Sequence, residues 1–410
     1  MRETTHGGDA RTDRDGSETP AASEGLARAG AAGGGAFDAA SLLREIAIPR
    51  LTGTDGAARA GAVIRGHFEA LGYDVNERSF RFNPWPGRFG ITAAGALYLI
   101  GTLTAAAFIF ANRPFAAVSM LLILLVLVGL MALFIRPAID ALRWGSREGV
   151  NMIAQRRGRR LRYIVMAHRD SKSQPVPLAF RGPAIVVGIL VWVALLIGAL
   201  AHAARPLPSA LLLVLTALAA LAGIGLILCW VDNNSPGALD NGSGVVAALG
   251  IARRQHEAGD VGFLITDAEE LGLAGASAAA AHLPPVFGII NLDGLDDHGP
   301  FYVLERFGVL RKRGLAPHLA AALLQEAEAR GEPANRRDLP LGIPVDHIPM
   351  VKAGIPALTV MRGTVRSLNR VHRPADSVDR LSGDGINRAV DLVSGALVRL
   401  REQAQSLEKR

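Results

Sequence analysis

Four long apolar runs, arranged as two close pairs, restrict what this chain can fold into. They span residues 89–112, 114–135, 182–204 and 206–231, and a single arginine, Arg113 or Arg205, separates the members of each pair. Each run has the roughly 20 uncharged residues that a helix needs to cross the hydrocarbon core of a bilayer. Buried core helices are the alternative, but they seldom occur as four uncharged runs of this length. The sequence therefore predicts four transmembrane helices in two hairpins.

The loops inside both hairpins are too short to form domains, so each hairpin should return the chain to its starting side. All other segments are then expected on one face of the membrane. That face carries most of the arginines near the runs, namely Arg78, Arg81, Arg88, Arg136, Arg143, Arg147, Arg181 and the cluster at 156–160. Because positive charge favours the cytoplasmic side, the main domain is predicted to be cytoplasmic. The cluster itself is interpreted first as the turn of a β-hairpin and second as a lipid-binding patch.

Composition supports a membrane protein over a nucleic-acid-binding one. Hydrophobic residues make up 50% of the chain, and the mean hydropathy is +0.27. The net charge of +7 comes largely from arginines beside the apolar runs, without interleaved aromatic residues. The bilayer is therefore an expected partner, and nucleic acid is not. Residues 1–35 are predicted to form a disordered tail, since they hold almost no large apolar side chain. They are not predicted to be a secretory signal, because no apolar run follows the first charges.

Outside the apolar runs, strand and helix patterns alternate along the chain. Strands are predicted at 73–82, 163–167, 261–266, 287–292 and 355–360, and helices at 244–254, 316–330 and 384–407. Such alternation is typical of a sheet covered by helices on both faces. The predicted fold class is α/β, with a mixed, largely parallel central sheet and two inserted transmembrane helical hairpins.

Seven acidic or imidazole side chains stand in five short motifs, most of them where a predicted strand ends. They are His168, Asp170, Asp240, Glu269, Glu270, Asp293 and His372. Singly, each has a plainer explanation, such as a helix N-cap or a solvated helix start. In open α/β sheets, however, sites form beyond the carboxyl ends of the strands, so one rim should collect them. Together they supply two imidazoles, enough carboxylates for two zinc ions and a spare carboxylate as a base.

The order and local sequence of these motifs are specific as a set. They read HRDS at 168–171, PGALDNGSG at 236–244, EELGLAGAS at 269–277, NLD at 291–293 and VHRPAD at 371–376, with Asp346-His347 in addition. The set resembles the co-catalytic zinc aminopeptidase family, which includes bacterial leucine aminopeptidases, glutamate carboxypeptidase relatives and glutaminyl cyclases. The resemblance covers about Phe37–Phe82 and Gly149–Leu400 and leaves out both hairpins.

The resemblance implies a role for each motif residue. It implies five metal ligands, a general base and an orienting carboxylate: His168 and Asp293 on one zinc, Glu270 and His372 on the other, Asp240 bridging, Glu269 as the base, and Asp170 beside His168. Nitrogen and oxygen donors without a thiolate suit two Zn²⁺ ions, with Co²⁺ or Mn²⁺ as substitutes. Unlike soluble members of the family, this chain has a membrane hairpin between Asp170 and Asp240.

The leading prediction is a membrane-anchored zinc-dependent exopeptidase, an aminopeptidase acting on peptides. Alternatives of the same fold are a carboxypeptidase, a single-zinc glutaminyl-cyclase-like enzyme and a non-catalytic membrane scaffold or receptor. The scaffold is disfavoured because every ligand position is filled, and a transporter because the runs contain no acidic residue. The predicted organisation is a tail at 1–35, peptidase segments at 36–88, 136–181 and 232–410, and transmembrane hairpins at 89–135 and 182–231.

Overall fold

The computed structural model describes residues 37–308, 311–340 and 342–408, so the predicted tail at 1–35 lies outside the described residues. Within these residues, eight strands form one sheet. In chain order they are β1 (Asp74–Phe82), β2 (Arg147–Gln155), β3 (Tyr163–His168), β4 (Val261–Thr266), β5 (Gly288–Leu295), β6 (Phe301–Arg306), β7 (Ala334–Asp338) and β8 (Ala357–Arg362). The spatial order is β1-β2-β4-β3-β5-β8-β6-β7.

The centre of the sheet is parallel and its flanks are mixed. Strands β4, β3, β5 and β8 run parallel to one another. On one side β2 and β1 add antiparallel pairs, and on the other β6 is antiparallel to β8 and parallel to β7. The predicted mixed, largely parallel α/β sheet is therefore confirmed.

Twelve α-helices accompany the sheet in the described part of the chain. Eight of them surround it: α1 (Ala39–Ile46), α2 (Asp55–Ala70), α7 (Ser243–Gln255), α8 (Ala274–Ala280), α9 (Pro317–Ala329), α10 (His347–Lys352), α11 (Val365–Leu368) and α12 (Asp384–Glu408). Alternate residues of β3 show how the two faces are covered. Val165 joins the core under α1, α2, α7, α9 and α12, whereas Ile164 packs with residues of α8 and α10.

The other four helices are long and apolar: α3 (Trp85–Phe110), α4 (Pro114–Ala141), α5 (Leu178–His202) and α6 (Ser209–Ile227). By length and composition each is able to cross a membrane. They pack on one another around their own apolar core, which includes Ile109, Leu121 and Leu195. Large apolar side chains point outward, and Leu133 and Leu221 are 72% and 68% exposed. An apolar surface of this extent is typical of a lipid-facing bundle.

Both helical hairpins begin and end at one edge of the sheet. Phe82 of β1 pairs with Arg147 of β2, and Met152 of β2 pairs with Ile265 near the end of β4. The chain thus enters α3 and leaves α4 at the carboxyl edge of the parallel strands. The second hairpin follows β3 at the same edge, where an isolated bridge joins Ser173 to Asp232.

The arginine cluster at 156–160 lies at the opposite edge. Gln155, just before it, pairs with Asp74 at the start of β1, and Tyr163, shortly after it, pairs with Val261 at the start of β4. The predicted β-hairpin at this turn is wrong, because β4 lies between β2 and β3. The arginine cluster and the bases of the two helical hairpins therefore lie at opposite ends of the strands.

Candidate metal centre

The five predicted metal ligands come from five chain segments that end at the carboxyl edge. His168 is the last residue of β3, and Asp293 lies near the end of β5. Asp240 stands in a π-helical turn, Ala238–Gly242, before α7. Glu270 follows β4, and His372 follows β8. The sheet therefore brings together residues that are more than 200 positions apart in the chain.

The five side chains form two groups that share Asp240. His168 Nε2 lies 3.2 Å from Asp240 Oδ1 and 3.8 Å from Asp293 Oδ1. On the other side, His372 Nε2 lies 3.0 Å from Asp240 Oδ2 and 3.4 Å from Glu270 Oε2. In each group the candidate ligand atoms lie within 4.8 Å of one another. Asp240 thus directs one carboxylate oxygen to each group.

Two observations fit a bound metal: the chemical types of the donor atoms, and a buried carboxylate oxygen that has no hydrogen-bond partner in the described part of the chain. Nitrogen and oxygen donors at these separations suit Zn²⁺ and, less selectively, Co²⁺ or Mn²⁺. Among the described residues nothing hydrogen-bonds Glu270 Oε1, although that oxygen is buried. Leaving a buried carboxylate oxygen without a partner is costly, and a bound cation would remove that cost. The residues present therefore fit the metal that the sequence resemblance implies.

Asp170 lies beneath His168 and contacts more than that imidazole. His168 Nδ1 is 3.1 Å from the Asp170 carbonyl oxygen and 3.5 Å from Asp170 Oδ1. The Asp170 carboxylate also accepts hydrogen bonds from the backbone N–H groups of Glu269 at 3.2 Å and Glu270 at 3.1 Å. One buried carboxylate thereby joins the His168 strand end to the loop that carries the glutamate pair.

Glu269 belongs to neither ligand group, and its side chain is buried at the same rim. Burial, together with the charges of Glu270, Asp346 and Asp293, raises the pKa of Glu269 well above its usual range, although His168 opposes the shift. A carboxylate with a raised pKa holds a proton more readily after accepting it. That property suits a general base that must later return the proton.

Two buried residues that the sequence did not single out as site residues fix the turn around Asp240. Asp376 accepts hydrogen bonds from the backbone of Leu239 at 2.7 Å and of Asp240 at 3.1 Å. The guanidinium of Arg50, fully buried, donates to the carbonyl oxygens of Arg169, Pro236 and Gly237. Arg50 thus ties the segment after His168 to the turn before Asp240. A charged residue between apolar positions was its only sequence signal.

Lys172 places a cation beside the candidate ligands and was not predicted from the sequence. Its Nζ lies 2.6 Å from Glu270 Oε2, and its side chain is only 13% exposed. Burial alone would raise the pKa of Glu270, but the charges of Lys172 and His372 outweigh it and lower the value to about 2. The sequence feature that could have identified Lys172 was its position four residues after His168 in the same loop.

Asp346 and His347, noted in the sequence, lie fully buried behind the site. Thr266 donates to the Asp346 carboxylate, and His347 Nδ1 lies 2.7 Å from Thr359 Oγ1. Burial raises the pKa of Asp346 to about 7 and lowers that of His347 to about 4. Both shifts act toward the uncharged form of each side chain.

An α/β sheet with two imidazoles and a set of carboxylates at its carboxyl edge is an arrangement that can bind metal ions. Comparison with protein families is more specific. The chain belongs to Peptidase family M28, which matches residues 151–397. The resemblance inferred from the motifs is thereby confirmed. No curated protein matches the sequence.

Solved structures share the fold at low sequence identity. BSAP, a zinc aminopeptidase from Bacillus subtilis, is 16% identical with a TM-score of 0.51, over 88% of this chain and 94% of that chain. The glutaminyl cyclase from an Acidobacteriales bacterium is 17% identical with a TM-score of 0.51, over 90% and 96%. The aminopeptidase from Aneurinibacillus sp. strain AM-1 is 14% identical with a TM-score of 0.50, over 88% and 93%. These likenesses concern the fold.

Proposed function

We propose that this chain is a membrane-anchored, zinc-dependent aminopeptidase that removes residues from the N-terminus of peptides. The observation that carries the proposal is the shared carboxylate of Asp240, with one oxygen 3.2 Å from His168 Nε2 and the other 3.0 Å from His372 Nε2. His168 and Asp293 would hold one Zn²⁺, Glu270 and His372 the other, and Asp240 both. Bound zinc supplies polarisation of the scissile carbonyl and acidification of water.

The remaining steps fall to the side chains of the rim. Glu269 takes a proton from the attacking water and delivers it to the leaving amine, for which its raised pKa is suited. Asp170 holds His168 and the backbone of the glutamate pair in place. Asp376 and Arg50 do the same for the Asp240 turn. Such supporting contacts strongly affect metal affinity and activity in metalloenzymes.

The membrane part of the proposal follows from the four apolar helices. Lipid covers their exposed side chains, which would otherwise form a large apolar surface in water. We place the peptidase portion in the cytoplasm, because the arginines concentrate on its side and the hairpin tips carry only Arg113 and Arg205. The expected partners are a peptide and the bilayer.

A second candidate function is cyclisation of an N-terminal glutamine at a single zinc ion. Lys172 favours it, because its ammonium group lies 2.6 Å from Glu270 Oε2 and adds one positive charge beside the ligands. A fixed cation at this position lowers the attraction of the site for a second metal. The number of zinc ions per chain therefore separates the two candidates.

The deciding experiment uses full-length protein purified in detergent. Zinc per chain is measured by mass spectrometry, and peptides with free N-termini, free C-termini or N-terminal glutamine are assayed with and without chelator. We expect two zinc ions and chelator-sensitive release of N-terminal residues. One zinc ion with cyclisation of glutamine would support the second candidate. Absence of chelator-sensitive hydrolysis from metal-loaded protein would refute the peptidase.

Lys172→Met should strengthen zinc binding at the group formed by Asp240, Glu270 and His372. The substitution removes a cation that both repels the metal and occupies Glu270 Oε2, so we expect affinity to rise about tenfold, or about 1.4 kcal/mol. Competition with a chromophoric chelator measures the change. Lys352→Met, at the exposed end of α10, is the matched control. Unchanged or weaker affinity in Lys172→Met would show that the ammonium does not compete with zinc.

A further inference from the structure

The metal-ligand groups and the bases of the membrane helices share the carboxyl edge of the sheet. Two residues separate the end of β1 from the start of α3, and the bridge between Ser173 and Asp232 closes the base of the second hairpin. In a membrane-anchored globular domain, the site can lie on the surface that faces the membrane or on any other surface. Here the same sheet edge holds both, so the site is on the membrane side of the domain.

Arginines at the bases of α3 and α4 bind the segments that carry metal ligands. Arg88 Nε donates to the carbonyl oxygen of Val231 at 3.3 Å, in the segment that leads to Asp240. Arg136 Nη1 donates to the carbonyl oxygen of Gly272 at 2.6 Å, two residues after Glu270. The Arg136 contact leaves no layer of protein between the base of α4 and the loop that carries Glu270.

The base of α5 is connected to His372 in the same way. Arg181 Nη1 donates to Gln174 Oε1 at 2.6 Å, and the backbone N–H of Gln174 donates to the carbonyl oxygen of His372 at 2.9 Å. Helix α3 also packs directly on the loop: a Cβ atom at Gly87 would lie 2.7 Å from the carbonyl oxygen of Leu271. Membrane helices therefore touch the residue next to a candidate ligand.

Exposed aromatic residues mark the level of the bilayer surface at this edge. Trp85, at the start of α3, and Trp144, shortly after α4, are 48% and 78% exposed, with ring centroids 6.0 Å apart. Exposed tryptophans of this kind are concentrated in the interfacial layer of membranes. The ligand loops, bound to the same helix bases, then lie close to the lipid headgroups.

We propose that the substrates are polypeptides anchored in the same bilayer, whose free N-terminus stands only a few residues from the lipid surface. This inference rests on the proposed aminopeptidase function. A headgroup layer is about 5–8 Å thick, which two or three extended residues span. A site at the opposite edge would need roughly six more residues, because a six-residue strand is about 20 Å long. Residence in one bilayer also raises the effective concentration of such a substrate.

The test reconstitutes the full-length protein into vesicles of phosphatidylcholine and phosphatidylglycerol. Each substrate carries the same N-terminal residues, a linker of about 4 or about 24 residues, and one transmembrane helix; the short linker is too short to reach the opposite edge of the sheet. A third peptide has the long linker and no anchor. Release of the N-terminal residue is measured with substrate in the same vesicles as the protein or in separate ones, and Glu269→Gln protein gives the background.

We expect the short-linker substrate to be cleaved within about threefold of the long-linker one, and about tenfold faster than the unanchored peptide at equal bulk concentration. Substrates in separate vesicles should be spared. A larger gain from the long linker, equal cleavage of the unanchored peptide, or cleavage between vesicles would overturn the inference. Failure of the proposed function looks different, because no peptide would then be hydrolysed in vesicles or in detergent.

Discussion

Glu269→Gln should lower kcat by about 10²–10⁴-fold while leaving bound zinc in place. The amide has nearly the same shape as the carboxylate but cannot accept the proton of the attacking water. Zinc should stay because Glu269 belongs to neither ligand group, and its backbone N–H, which binds Asp170 at 3.2 Å, is unchanged. Saturation kinetics on the best peptide of the panel and zinc per chain measure the two effects.

Glu257→Gln, at an exposed position after α7, is the matched control and should behave like the unaltered protein. Turnover of Glu269→Gln at the unaltered rate would show that another residue moves the proton. Loss of zinc from the variant would instead assign Glu269 to the ligands. Both measurements are therefore needed on the same preparation.

Asp240→Asn should remove metal from both groups at once. Each carboxylate oxygen of Asp240 lies within about 3 Å of a different imidazole, so the neutral amide weakens two sites. We expect zinc per chain to fall toward zero at limiting zinc and activity to fall by more than about 10²-fold, since changes outside the ligand set alone cost 10–100-fold. His168→Ala and His372→Ala each alter one group and should leave about one zinc ion.

The control is Asp232→Asn, in the same segment but outside the ligand groups. The Asp232 side chain accepts hydrogen bonds from the backbone N–H of Asn233 and the side-chain amide of Asn234. It should retain both metals. Two zinc ions in Asp240→Asn would show that neither group needs the Asp240 carboxylate to hold its metal. An equal loss from His168→Ala and Asp240→Asn would show that the groups bind metal only together.

The parts of the fold that follow local patterns could be predicted from the sequence. The four apolar runs became α3 to α6, and β3 and β4 are continuous apolar strands buried on both faces. The candidate ligands stood at the ends of such strands, so the carboxyl edge could be inferred as their meeting place. For the same reason His168, Glu270 and Asp293 could be selected before any contact was known.

Contacts between distant segments could not be predicted in this way. β7 reads Ala-Asn-Arg-Arg-Asp and lies at the edge of the sheet, where polar residues are tolerated and give no strand pattern. The insertion of β4 between β2 and β3 depends on a segment about a hundred residues later in the chain. Arg50 and Lys172 acquire their roles only when the loops meet, so the sequence around each residue gives only a weak signal.

The bridge between Ser173 and Asp232 has a consequence for the order of assembly during synthesis. The ribosome makes His168 before the second hairpin and Asp240 after it, so the two halves of the metal centre emerge on either side of α5 and α6. On the proposed membrane topology, insertion of that hairpin would bring its two ends together and lower the entropic cost of joining His168 to Asp240. On that topology, we expect membrane integration to precede metal loading, because the two parts of the ligand set meet only after the second hairpin is in place.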